Sequence, residues 1–152
     1  MATDEERGEA VGPDGGLSPQ VVAWMRLARV FQKVERASSD HLRTWGLSLA
    51  QFDVLAQVGA AEGASQQQLA RSLLVTKGNV AQLLNRMEAD GLIERRQVGR
   101  CNHLYLTDRG RDTYARVVPA QQEMITRLFS RLPDCDCRAL RDTLRTLDHA
   151  LD

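Results

Sequence analysis

Apolar residues recur at helical spacing along most of this chain and switch to alternation in one short stretch. From residue 19 to about residue 44, Trp24, Leu27, Ala28, Phe31 and Val34 form one apolar stripe, while Val21, Val22, Met25 and Val30 form a second. A helix apolar on two sides packs against two things. Ser18-Pro19 supplies a cap and a proline at the first helical position, and Gly46 breaks the helix. The pattern over residues 48–60 predicts a second helix with Phe52, Leu55, Ala56 and Gly59 inward, and residues 61–64 read as a connection. Residues 66–74 predict a third, short helix capped by Ser65, with Leu69, Ala70, Leu73 and Leu74 on one face. Val75-Thr76 reads as a turn, and Thr76 as the cap of a fourth helix over residues 77–90. Val80, Leu83, Leu84 and Met87 give that helix its core face, and Gly91 stands where a left-handed residue ends it.

Alternation then takes over. Residues 92–96 and 102–106 read as two strands, with Leu104 and Leu106 alternating against His103 and Tyr105, joined by a loop over residues 97–101. Thr107 or Asp108 caps a long helix over residues 108–132, which Pro119 is expected to bend by removing one backbone hydrogen bond. A last helix, residues 136–151, places Leu140, Leu144, Leu147 and Leu151 on a narrow stripe of the kind that pairs with another helix. The alternative is a seam on the chain's own core. The fold class is therefore mostly α: a helix-turn-helix with a two-stranded hairpin, flanked by long N- and C-terminal helices.

The face of the fourth helix opposite its core carries Lys77, Gly78, Asn79, Ala81, Gln82, Asn85 and Arg86. A helix entering a major groove needs such a face: Arg and Lys for guanine or phosphate, Asn and Gln for adenine edges, small residues for close approach. Ser65 and Gln66, at the start of the preceding helix, join this candidate DNA-binding set, and so do Arg95, Arg96 and Arg100 of the hairpin. A thin basic loop lies along phosphates or puts an Arg into a narrow minor groove.

The formal net charge of zero at first argues against this reading. Position resolves the conflict. Residues 64–110 hold seven cations against four carboxylates, whereas residues 1–16 hold one against five. Local field matters more than the total for docking. Residues 1–16, acidic and Gly-rich, read as a flexible tail, and residues 17–152 as one domain. The acidic N-terminus does not read as a secretory leader, and no stretch approaches the ~20 apolar residues of a membrane span. Cytoplasmic residence is the expectation.

With these residues in view, the stretch resembles the winged-helix domain of the MarR family of multiple-antibiotic-resistance regulators. The resemblance rests on Leu69-Ala70, Val75-Thr76, the run Met87-Glu88-Ala89-Asp90-Gly91-Leu92-Ile93-Glu94-Arg95, and Leu106-Thr107-Asp108-Arg109-Gly110. Upstream, Leu47-Ser48-Leu49-Ala50-Gln51-Phe52-Asp53-Val54-Leu55 is similar to another helix of the family, so the likeness covers roughly residues 19–151. Counting back from Leu106-Thr107, the family's wing Asp falls on Val98 and its wing Arg on Arg100. The Arg is present, the Asp is not, and the loop is shorter than the family's.

The resemblance implies a homodimer on a pseudo-palindromic operator. Residues 47–110 would form the DNA-binding lobe, and residues 17–45 and 111–152 the dimerisation helices, with Val22, Leu140, Leu144, Leu147 and Leu151 at the interface. It also implies a repressor released by a small aromatic or phenolic effector, for which Trp24, Arg26, Phe31 and Phe52 are candidate pocket residues. A thiol-redox response is the alternative. Cys101 lies beside Arg100 on the wing, and Cys135 and Cys137 form a Cys-x-Cys pair at the start of the last helix, read as a redox pair or two soft metal ligands. The histidines His41, His103 and His149 are too scattered to complete a metal site, so no metal or cofactor is expected. A winged helix used only for protein contacts is the other alternative. The chain has no phosphate loop, nucleophile elbow or metal-binding cluster, which argues against an enzyme.

Overall fold

The computed structural model describes residues 16–73 and 79–151. Eight elements follow in the order α1 (Pro19–Arg43), α2 (Leu49–Ala60), α3 (Gln66–Ser72), α4 (Val80–Ala89), β1 (Ile93–Val98), β2 (Cys101–Leu106), α5 (Asp108–Phe129) and α6 (Asp134–Leu151). The chain divides into two compact units, residues 1–35 and 36–152.

The first unit contains the N-terminal part of α1. The Val21 N–H donates to Ser18 Oγ at 3.4 Å, so Ser18-Pro19 opens the helix as its sequence predicts. Both apolar stripes of this part reach solvent in the single chain: Val21, Trp24, Met25, Leu27, Val30 and Phe31 are all exposed.

The second unit holds the core. Leu42, Val54, Leu55, Val58, Leu84, Met87, Ile93, Leu104 and Val117 are fully buried, with Leu69, Leu92 and Leu106 beside them. Two capping boxes fix the starts of the helices beneath the site. Ser48 Oγ accepts from the Gln51 N–H while Gln51 Oε1 accepts from the Ser48 N–H, and Ser65 and Gln68 repeat the exchange at α3. Thr107 caps α5 by accepting from the Gly110 N–H at 2.9 Å. The helix then runs through Pro119. His41 Nδ1 lies 2.7 Å from Oε1 of the buried Gln121, tying the end of α1 to α5. No residue of α6 is buried, and Leu140, Leu144, Leu147 and Leu151 are all exposed.

Several sequence expectations change. The fourth helix starts at Val80 rather than at residue 77, because Asn79 is extended and its own Oδ1 accepts the Gln82 N–H at 3.1 Å. Thr76, expected as that cap, lies outside the described residues, as do Leu74, Val75, Lys77 and Gly78. The third helix ends at Ser72, where Leu73 turns extended, and the fifth ends at Phe129 rather than residue 132. The hairpin has a tighter turn than the five-residue loop expected: Val98 pairs with Cys101, leaving only Gly99-Arg100 between the strands. Gly99 has φ +62°, and no described non-glycine residue has positive φ. Positive φ at the first of two turn residues alone is the signature of a type II′ turn, whose twist matches that of the strands. The connection over residues 61–64 is tied to β2 by hydrogen bonds. The Gly63 N–H donates to Leu104 O at 2.8 Å, the Leu104 N–H to Ala64 O at 3.0 Å, and Ser65 bridges His103.

Candidate nucleic-acid interface

Helix α4 presents two chemically distinct faces. Leu84 and Met87 are fully buried and Val80 and Leu83 pack partly against the same core, which turns Ala81, Gln82, Asn85 and Arg86 to solvent. Gly91, at φ +70°, takes the chain out of the helix and into β1. The wing therefore starts within a turn of the helix's C-terminus, and its basic residues and the polar face of α4 belong to one continuous segment.

The arginines of the hairpin do three different things. Arg95 points back to α4. Its Nε and Nη2 donate to Glu88 Oε2 at 3.1 and 2.8 Å, its backbone N–H donates to Glu88 Oε1 at 3.2 Å, and Nη2 also donates to Asn85 Oδ1. The hydrogen bond from Arg95 holds the Glu88 carboxyl below its ordinary range, against an opposing effect of burial. Arg96, on the other face of β1, lies over the Tyr105 ring at 4.3 Å and pairs with Glu94. Arg100 sits at the turn, exposed, with no ion pair among the described residues. Arg86 is likewise exposed and without an ion pair among the described residues.

The start of α3, the start of α4 and the wing tip meet around an open hollow of about 400 Å³. Ser65, Gln66 and Ala70 line it from the α3 side, Val80 from α4, and Arg100 and Cys101 from the turn. The structure thus brings Ser65, Gln66 and Arg100 to one concavity, with Cys101 beside them. Asn79 stands at the head of α4 as its cap, so its carbonyl is committed to the backbone. Gln82 remains exposed one turn further on.

The other candidates lie elsewhere. Trp24 and Phe31 are 65% and 55% exposed on α1, Arg26 is exposed on the opposite side of that helix, and Val22 is half-buried. Phe52 packs partly against the core of the second unit. Cys135 and Cys137 both lie in the first turn of α6, exposed and half-buried. Two residues apart on a helix, their side chains diverge by roughly 200°, so they are not placed as a bonded pair. The pairing at Gly63–Ser65, which widens the hairpin by a third segment, leaves no signal in the sequence, because a run with two alanines and a glycine carries no alternation.

A helix-turn-helix whose second helix exposes amides and a cation, flanked by a tight basic hairpin, defines a winged-helix DNA-binding regulator. The sequence pattern of the MarR family matches residues 45–100. An HTH-type transcriptional regulator of Bacillus cereus is 34% identical over 98 residues, spanning 64% of this chain and 67% of that one. The chain belongs to the MarR family of transcriptional regulators. The transcriptional repressor MprA of Escherichia coli (strain K12) is 29% identical over 116 residues, 73% of this chain and 66% of its own. The fold extends almost end to end over an organohalide-sensing transcriptional regulator in its 2,4-dichlorophenol-bound form, with a TM-score of 0.78 at 20% identity, covering 98% of this chain and 89% of that one. The protein is accordingly a DNA-binding regulator and not an enzyme. No described helix is long and apolar enough to cross a membrane.

Proposed function

We propose that the protein is a homodimeric repressor that occupies a pseudo-palindromic operator and is released by a small aromatic or phenolic ligand. The observation that carries the DNA-contact reading is the common concavity of α3, α4 and the wing tip, with Arg100 at its rim and Gln82 and Arg86 exposed on α4. Lys77, Gly78, Asn79, Gln82 and Arg86 are assigned to the major groove, Ser65 and Gln66 to the adjoining backbone, and Arg100 to the minor groove. Arg96 adds positive field from the wing's outer face. The exposed leucines of α6 supply the dimer face, and residues 17–45 and 111–152 are the dimerisation helices in this reading. Binding of the chromosomal operator places the protein in the cytoplasm.

The effector reading has its support in α1. Trp24 and Phe31 lie two turns apart on one side of it, largely exposed, while Arg26, two residues from Trp24, projects from the opposite side. Two aromatic faces on one side of a helix suit the ring of a phenolic ligand. The dichlorophenol-bound relative in fold favours the same ligand class.

The test is a gel-shift titration against the DNA upstream of the protein's own gene, across a range of salt concentrations and with 2,4-dichlorophenol added. Affinity falls steeply with salt as condensed counterions are released, and the phenol lowers it further. A salt-independent response removes the DNA contact assignment. Unchanged affinity with the phenol removes the phenolic effector.

A further inference from the structure

Arg95 stands among the basic residues that the sequence offers to DNA, yet its guanidinium is engaged inside the protein. The guanidinium donates twice to Glu88 and once to Asn85, the backbone N–H donates to Glu88 as well, and the side chain is only 19% exposed. Glu88 and Asn85 lie three residues apart on α4, so the guanidinium bridges successive turns of the helix on the side where the wing begins. A guanidinium has donors and no acceptor. The Asn85 atom facing it is therefore the carbonyl oxygen, and the Nδ2 amino group is turned the other way. Asn85 itself is exposed, on the same polar face as Gln82 and Arg86.

That orientation matters for base reading. An asparagine pairs with adenine by presenting its carbonyl to N6–H2 and its amide N–H to N7 together. Here a cation occupies the carbonyl end. The positively polarised hydrogens of adenine N6 meet like charge there, whereas guanine offers two adjacent acceptors, O6 and N7, to the free amino group. We propose that Arg95 is a positioning residue for sequence discrimination: by holding the carbonyl of Asn85 it makes Asn85 a hydrogen-bond donor that selects guanine at one base position of the site. The Glu88 carboxylate keeps the guanidinium in place for that task. This inference rests on the DNA-contact reading of α4 given above.

The experiment is selection from a pool of random-sequence duplexes, with the bound fraction sequenced, for the full-length protein and three variants. The wild type enriches a motif with guanine at one position that Asn85→Ala leaves degenerate. Asn85→Asp has the same shape and keeps Arg95 as a partner, but presents acceptors only, so the preference there moves to cytosine, whose N4 donates, by about tenfold. Arg95→Gln admits adenine beside guanine at that position and leaves the rest of the motif intact. A merely structural role for Arg95 would instead weaken binding to all sequences alike with the motif unchanged, and that result overturns the proposal. Should Arg95→Gln lower the melting temperature enough to lose the wing, Asn85→Asp decides alone: a motif identical to the wild type's refutes it. A wild-type protein that enriches no motif at any salt overturns the DNA-contact reading itself, and the two failures are thereby distinguished.

Discussion

Gly110 sits where the backbone of Leu92 crosses the start of α5. A Cβ built on it would fall inside the Leu92 carbonyl oxygen and close to its carbonyl carbon. Backbone cannot swing aside as a side chain can, so Gly110→Ala should cost about 3 kcal/mol or more, read as a drop in the denaturant midpoint. Gly59 makes a useful contrast. Its added Cβ would meet the Tyr114 ring, a side chain, so Gly59→Ala should cost less, about 1–3 kcal/mol. Equal losses at the two positions would refute the distinction. Glu88 gives a second prediction at this scale. Arg95 lowers its pKa in the folded chain, so its contribution is fully present above the ordinary glutamate value of about 4.5 and is lost as pH falls through the lower folded value. The stability gap between the wild type and Glu88→Gln should therefore hold at neutral pH and close in acid. A gap that widens in acid contradicts the clamp.

Among the elements, the existence and order of helices and strands are legible in the sequence, and the way they join is not. Leu104 and Leu106 alternate with their neighbours and announce the second strand, which the structure bears out. Thr76 and Asn79 both carry a side-chain oxygen fit for a cap, and nothing local distinguishes them; the Asn79 to Gln82 hydrogen bond does. The sequence suggests a longer wing turn, residues 97–101 around the freely turning Gly99, whereas pairing across the strands carries the ladder up to Val98 and Cys101. The shortened turn puts Arg100 at the very tip. Arg100→Ala should weaken binding to all duplexes while reducing the slope of log affinity against log salt by about 1, with thermal stability retained. An unchanged affinity and slope remove Arg100 from the DNA interface. Cys101 shares that tip and is exposed. If an oxidant such as hydrogen peroxide weakens DNA binding, Cys101→Ser should abolish the response, because sulfenic acid formation needs the thiol. A response that survives the substitution excludes Cys101.

For the whole molecule, the unburied leucines of α6 carry the most consequence. Leu144 and Leu147 are 37% and 47% exposed on a helix with no buried residue of its own. Leu144→Glu combined with Leu147→Glu should convert a dimer to a monomer in analytical ultracentrifugation and sharply reduce operator affinity, since a single winged helix touches half the site. A wild-type protein that sediments as a monomer refutes the dimer. Net charge, by contrast, says little about function: the zero total hides the basic run over residues 64–110.

The strands run in the order β1-β2, with the segment around Ser65 on the far side of β2, so no described strand pairs with the outer edge of β1, where Glu88 Oε1 accepts from the Arg95 N–H. An edge without a partner strand is a template on which a second chain can add a strand and start a stack. Glu94, Arg95 and Arg96 occupy the middle of that edge, and another chain laid alongside would have to displace Glu88 from the Arg95 N–H and bring its own backbone past the Glu94–Arg96 pair. Residues placed there in a DNA-binding wing thus also act as gatekeepers against precipitation. Neutralising them would be paid for in the yield of soluble protein, independently of any operator.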